Sequence, residues 1–374
     1  MADGRLKVLS IFGTRPEAIK MAPVVNRLSV TAGVESLVCV TAQHRRMLDQ
    51  VLDLFAITPD FDLDLMRPDQ SLSDLTASVI QGLDTIVADV QPDWVLVQGD
   101  TTTVMAAGLL AYYHHIRVGH VEAGLRTGDK WQPFPEEVNR KVTGVVADLH
   151  FAPTEQARDN LLQEGVCSES IVITGNPVID ALYEILERPY DFDHPVFQAI
   201  PEGRRLILVT AHRRENFGEP MEQIFKALRE IAEGYREDVH LVYPVHPNPN
   251  VREPAHRALS GIPNLTLLEP LDYLPMAHLM KMAYLVLTDS GGLQEEAPAL
   301  GTPVLVLRQV TERPEAILAG TARLVGYDTE KIISETSKLL DDPEAHRAMA
   351  QAVNPFGDGH AAERIVQALL GYPF

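Results

Sequence analysis

The densest set of residues that could do chemistry in this chain is Thr288-Asp289-Ser290-Gly291-Gly292-Leu293-Gln294-Glu295-Glu296. The apolar run Ala283 to Leu287 before it reads as a buried strand, and Leu293 to Leu300 as a short helix stopped by Gly301 and Pro303. Ser290, Gly291 and Gly292 then occupy a strand-to-helix corner. Unpaired N–H groups and the positive helix end bind phosphate at such a corner, and paired glycines let the ligand approach bare backbone. A turn in which Asp289 or Ser290 simply caps the helix is the plainer alternative. Cations recur at similar corners. Gly13-Thr14-Arg15-Pro16-Glu17 places Arg15 at a helix mouth, with Lys20 little more than one turn along. Arginine can fork onto phosphate oxygens, whereas lysine acts as a point charge. His212 ends another apolar run with Arg213 and Arg214 behind it, and His246 does so more weakly. Arg313 stands immediately before Pro314 at a further helix start.

A second group is acidic. Gln98-Gly99-Asp100 ends one run, and Asp100 alone would read as a helix cap. His120-Val121-Glu122 ends the next, putting Glu122 at a strand mouth. Pro133-Phe134-Pro135-Glu136-Glu137 is a proline-bracketed loop before a helical stretch, and one of its glutamates suits the positive helix end. Carboxylates on successive loops of one sheet edge raise one another's pKa and suit proton transfer.

The elements that must position these residues alternate. Twelve short apolar runs read as strands: Leu6–Phe12, Leu37–Thr41, Trp94–Gln98, Val118–Glu122, Leu149–Phe151, Ile171–Thr174, Arg205–Thr210, Val239–Tyr243, Leu265–Leu268, Ala283–Thr288, Pro303–Leu307 and Ala322–Val325. Helical periodicity fills the gaps, as in Leu72–Val90 and Met221–Ala232. Such alternation means parallel sheets covered on both faces. We expect an α/β chain of two doubly wound halves with about six strands each, the carboxyl ends of both sheets facing one ligand cleft. The hinge is set close to Pro177, before the proline-interrupted stretch Glu187 to Gly203. The expected domains are 1–176 with 358–374, the last helix crossing back, and 177–357.

Composition excludes several classes. At 374 residues with 45% apolar and 22% charged content, the chain suits two globular cores. A net charge of −20 without a basic stripe argues against nucleic acid. Any anionic ligand must then be held by local cations against the general field. Cys39 and Cys167 cannot form a disulfide framework, and Cys39 lies in a buried run. The polar start leads straight into a strand and no apolar run approaches membrane-spanning length, so we expect a cytoplasmic protein without membrane contact. There is no P-loop. Gly357-Asp358-Gly359-His360-Ala361-Ala362 follows no strand and reads as a loop, not a dinucleotide fingerprint. The histidines and cysteines lack metal-site spacing, and neither metal nor other cofactor is expected.

Taken together, these ordered corners resemble the non-hydrolysing UDP-N-acetylglucosamine 2-epimerases, from about Val8 to Arg364. The resemblance implies a GT-B fold of two Rossmann-like domains closing over a UDP-sugar, usually as a homodimer. It implies that Arg15, His212, Ser290, Gly291, Gly292 and Arg313 hold the diphosphate, with Lys20 nearby and Glu296 on the ribose hydroxyls. It gives proton-transfer roles to Asp100, Glu122 and Glu136, and His212 joins them as a catalytic candidate. Departures occur at Met276, where an aromatic against uracil is common, and at Leu271, where glutamine is common. Gln43, Glu136, Arg213 and His246 match a second, regulatory substrate site of some bacterial members, whereas Arg46 and Asp69 do not. Rival readings are a GT-B glycosyltransferase, a hydrolysing epimerase and a non-catalytic nucleotide-sugar sensor.

Overall fold

The computed structural model describes residues 4–41, 45–65, 67 and 70–373. The described chain forms two compact units, one running to Tyr183 and resuming from Phe356, the other Glu184–Pro355. The boundary falls within the helix Pro177–Glu187, between Tyr183 and Glu184.

The first unit is built on a parallel sheet of β1 (Leu6–Phe12), β2 (Val34–Val40), β3 (Phe61–Asp62), β4 (Trp94–Gln98), β5 (Arg117–Val121), β6 (Leu149–Ala152) and β7 (Ile171–Ile173). Their order is β3-β2-β1-β4-β5-β6-β7. The second carries β8 (Arg205–Thr210), β9 (Val239–Pro244), β10 (Leu265–Leu268), β11 (Ala283–Thr288), β12 (Val304–Val306) and β13 (Ala322–Leu324), ordered β10-β9-β8-β11-β12-β13. These are two Rossmann-like α/β units, the expected class. The first sheet has seven strands, not six, because β3 has only two residues and gives no alternation to read. Strand order reverses between β1 and β4 and between β8 and β11, and ligands of such sheets bind beyond the carboxyl ends at these reversals.

Burial explains the alternation. Leu9, Ile11, Val95 and Val97 are fully buried, so neighbouring strands are apolar on the face that helices cover. The helix Leu72–Val90 buries Leu75, Val79, Leu83 and Val87, a single stripe at four-residue spacing. Each such side chain contributes about 1.5–3 kcal/mol on burial. Ser71 caps this helix by accepting from the Asp74 N–H at 3.1 Å. The helix Ala361–Gly371 packs on the helix Arg15–Ser29. Its first N–H groups, from Ala361 and Ala362, donate to Asp180 at 3.1 and 2.8 Å. Gly357 (φ 130°) opens the loop before it, lying so close to Gly175 that a Cβ there would meet the Gly175 Cα at 3.3 Å. The glycines of the fingerprint-like stretch thus serve a chain crossing. Cys39 is buried, which pushes its thiol up to about 12. No described helix is long and apolar enough to cross a membrane.

Candidate active site

In the first unit the loops after β1 and β4 are tied together by one buried carboxylate. Thr14 caps the helix Arg15–Ser29, and Glu17 reciprocates in a capping box. Glu17 Oε2 accepts from the N–H groups of Gly13 (3.0 Å) and Thr14 (2.6 Å), while Oε1 accepts from the Thr101 hydroxyl at 2.7 Å. Burial pushes its pKa up, opposed by these hydrogen bonds. Arg15, just inside the helix, is half-buried, and its side chain forms no hydrogen bond or ion pair among the described residues.

Asp100 is not the cap of the next helix. Thr101 is, accepting from the Val104 N–H at 3.3 Å. Asp100 instead takes a hydrogen bond from Arg140, and the Asn139 amide donates to its carbonyl at 2.9 Å. Arg140 also reaches Glu137 at 3.0 Å. Of the two acids that open the helix Glu136–Val146, Glu137 is the structural one. Fully buried, it accepts from the N–H groups of Thr127 and Gly128 at 3.2 Å. Glu136 is half-buried at the first helical position.

Glu122 follows β5 in left-handed backbone, φ 63°, a conformation that costs about 1–3 kcal/mol in a non-glycine residue. Its buried carboxylate is surrounded by donors: Lys20 at 2.6 and 2.7 Å, Asn176 at 2.9 Å, and Gln98. Lys20, expected near a diphosphate, therefore lies on a carboxylate. Across the sheet edge, His120 Nε2 meets the Gly99 carbonyl at 2.7 Å. Burial pushes His120 down to about 4, so the ring is neutral and its Nε2–H donates. This holds the loop that carries Asp100.

In the second unit the helix begins at Gly291, two residues before the expected Leu293, so Ser290 is its N-cap residue but makes no side-chain cap bond. Asp289 does not cap either. Fully buried, its Oδ2 accepts from the N–H groups of His212 and Arg213, both at 2.8 Å, and from Asn216 at 3.0 Å. The loop after β8 is thus fixed to the end of β11. His212 stacks on exposed His246, ring centroids 5.3 Å apart and 9° between planes. Burial holds the His212 pKa down, opposed by Asp289 and reinforced by His246 and Arg213.

Gly291 lies where two guanidiniums converge. A Cβ on it would sit 3.8 Å from Arg213 Nη2 and 4.0 Å from Arg313 Nη2. Arg313 is buried and donates to Glu295, while the Thr311 hydroxyl donates to Gln294 at 2.6 Å. Two forked cations beside the first turn of a helix form a site for a dianion. One turn into the helix, Glu296 accepts from the Tyr273 hydroxyl at 2.8 Å. Half-buried Met276 lies on the same helix as Tyr273.

The structure thus places Arg15, Lys20, Asp100, Glu122 and Glu136 in the first unit, on the strand-end loops and the helices that follow them, with Lys20 and Glu122 in contact, and His212, Arg213, His246, Ser290, Gly291, Gly292, Glu296 and Arg313 in the second. Gln43 and Asp69 lie outside the described residues, as does the side chain of Arg46. Sequence reasoning missed Glu17, Arg140, Asn176, Tyr273 and the anchoring role of Asp289. Only Glu17 left a local signal, the Thr14-x-x-Glu17 capping box. No group of three or more His, Cys, Asp or Glu among the described residues converges for a metal.

Known proteins are similar to this chain along nearly its whole length. The family model described as UDP-N-acetylglucosamine 2-epimerase matches residues 26–370. The UDP-N-acetylglucosamine 2-epimerase of Bacillus subtilis is 55% identical over 98% of this chain and 95% of its own. That of Salmonella typhimurium is 54% identical over 98% and 99%. The crystal structure of UDP-GlcNAc 2-epimerase from Neisseria meningitidis bound to UDP-GlcNAc superposes with a TM-score of 0.91 at 49% identity, covering 98% of this chain and all of that one. With that extent of match, and both chemical corners in place, this chain belongs to the UDP-N-acetylglucosamine 2-epimerase family.

Proposed function

We propose that the protein interconverts UDP-N-acetylglucosamine and UDP-N-acetylmannosamine by anti elimination of UDP and re-addition through 2-acetamidoglucal. The C2 hydrogen of a nucleotide sugar has no adjacent carbonyl, so simple deprotonation is very costly. Elimination avoids that cost. The C2–H and C1–O bonds break, a C1–C2 double bond forms, and UDP departs with the electron pair. A proton then returns to the other face of C2 and UDP re-adds at C1. The convergent guanidiniums at Gly291 stabilise the leaving diphosphate. Asp100, Glu122 and Glu136 share the acid–base work. Arg15, Ser290, Gly292 and His212 complete the diphosphate set, Glu296 takes the ribose, and Met276 packs on the base. No cofactor enters the reaction. Arg213 and His246 flank His212, so a second substrate molecule at the matched regulatory positions would act through the same loop. A cytoplasmic homodimer is the expected form, and light scattering on the eluting protein tests the dimer.

The observation that carries this reading is the buried Glu122 carboxylate in strained backbone, gripped by Lys20, Gln98 and Asn176. A sensor that only bound nucleotide sugar would have no use for it, and a glycosyltransferase needs one base and an acceptor groove. Incubation with UDP-N-acetylglucosamine in heavy water is the test. The epimerase gives UDP-N-acetylmannosamine deuterated at C2, a hydrolase gives free sugar, a transferase gives little without an acceptor, and a sensor gives nothing.

A further inference from the structure

Asp289 has one oxygen fully used and one not. Its side chain is wholly buried, and Oδ2 accepts three hydrogen bonds. Oδ1 has no hydrogen-bond partner and lies 3.4 Å from His212 Nδ1. A buried carboxylate oxygen left this way is costly unless a proton donor faces it. Among the described residues, the His212 imidazole faces it.

We infer that Asp289 is a positioning residue that makes His212 a diphosphate-linked cation: it keeps a proton on Nδ1, and arrival of the anion brings a second proton to Nε2 from solvent. Two groups bear on the ring besides Asp289. His246 stacks on one face, and Arg213 is the next residue and opposes positive charge. In the ligand-free protein burial outweighs Asp289, and the ring stays neutral at neutral pH. A diphosphate at Gly291 reverses that balance, since it adds two negative charges beside Arg213 on the same loop. The ring then gains a cation's worth of attraction for the ligand only when the ligand is present. Empty, the corner avoids a third positive charge beside Arg213 and Arg313.

This inference rests on the diphosphate reading of the corner and is tested separately from it. Calorimetric titration with UDP-N-acetylglucosamine at about pH 7.5, in buffers of different ionisation enthalpy, counts protons taken up on binding. That diphosphate diester does not titrate near neutrality, and epimerisation consumes no net proton. The wild type is expected to take up more than about half a proton per site, and both Asp289→Asn and His212→Asn to lose that uptake. Uptake unchanged in Asp289→Asn overturns the inference while leaving the diphosphate site intact, and absence of binding heat in the wild type overturns both. Should Asp289→Asn fail to fold, nitrogen-15 NMR of the wild-type histidines decides. His212 protonated at Nδ1 alone when free and at both nitrogens with ligand supports the inference. A ring protonated at Nε2 alone, or unchanged by ligand, refutes it.

Discussion

The Lys20 ammonium straddles both oxygens of Glu122, at 2.6 and 2.7 Å, although the two residues are 102 positions apart. The first comes from the helix after β1 and the second from the end of β5, so the pair spans the point where strand order reverses. Glu122→Gln keeps the size of the side chain while removing the proton acceptor and turning an amide N–H₂ toward one set of the donors. It is expected to lower kcat by about 10²–10⁴ and to leave UDP affinity within a few-fold. Steady-state kinetics with a direct UDP titration checks this, and near-normal turnover would remove Glu122 from the acid–base set.

Gly291→Ala tests the anion corner without disturbing the fold. The added methyl makes ordinary contacts, 3.8 and 4.0 Å from the two guanidiniums, and the backbone there is not left-handed. The methyl fills the space where phosphate oxygens would sit. UDP affinity should fall at least about tenfold, or 1.4 kcal/mol, with an unchanged melting temperature. Undiminished binding would place the diphosphate elsewhere.

Glu17 ties the Arg15 loop to the Asp100 loop. Glu17→Ala removes a cap partner and strands the N–H groups of Gly13 and Thr14 and the Thr101 hydroxyl. A loss of about 2–3 kcal/mol is expected in denaturant titration, together with reduced activity. Full stability would show that the strap is replaceable by water.

Acid should weaken the first unit through two buried histidines. Burial pushes both His120 and His150 down to about 4 from their ordinary 6.5. The folded chain then binds fewer protons than the unfolded chain between pH 6.5 and 4. Stability is complete above that window and is lost as pH falls through it, by up to about 1.4 kcal/mol per pH unit for each ring. The variant His120→Gln should show a shallower decline in stability measured from pH 7 to 4. An identical slope would assign the acid sensitivity to other groups.

How much of this was legible in the sequence follows from the range of each interaction. Local signals worked: the run Leu72–Val90 forms the helix as read, because its buried stripe repeats every four residues. The strand-end corners were visible because glycine, proline and charge cluster at them. Contacts that fix site geometry were not. Asn176 reaches Glu122 across 54 positions and Tyr273 reaches Glu296 across 23, and neither leaves a periodic trace. Asp289 misled for a different reason. An aspartate before a helix reads as a cap, and only the fold shows that its carboxylate turns to the loop after β8.

The most direct test of elimination follows the bond that must break. UDP-N-acetylglucosamine is labelled with oxygen-18 in the bridge between C1 and the β-phosphorus, and phosphorus NMR follows the label during turnover. If UDP leaves and returns, the label moves into the non-bridging β-phosphate positions as C2 inverts. A label that stays in the bridge while the epimer accumulates would contradict elimination.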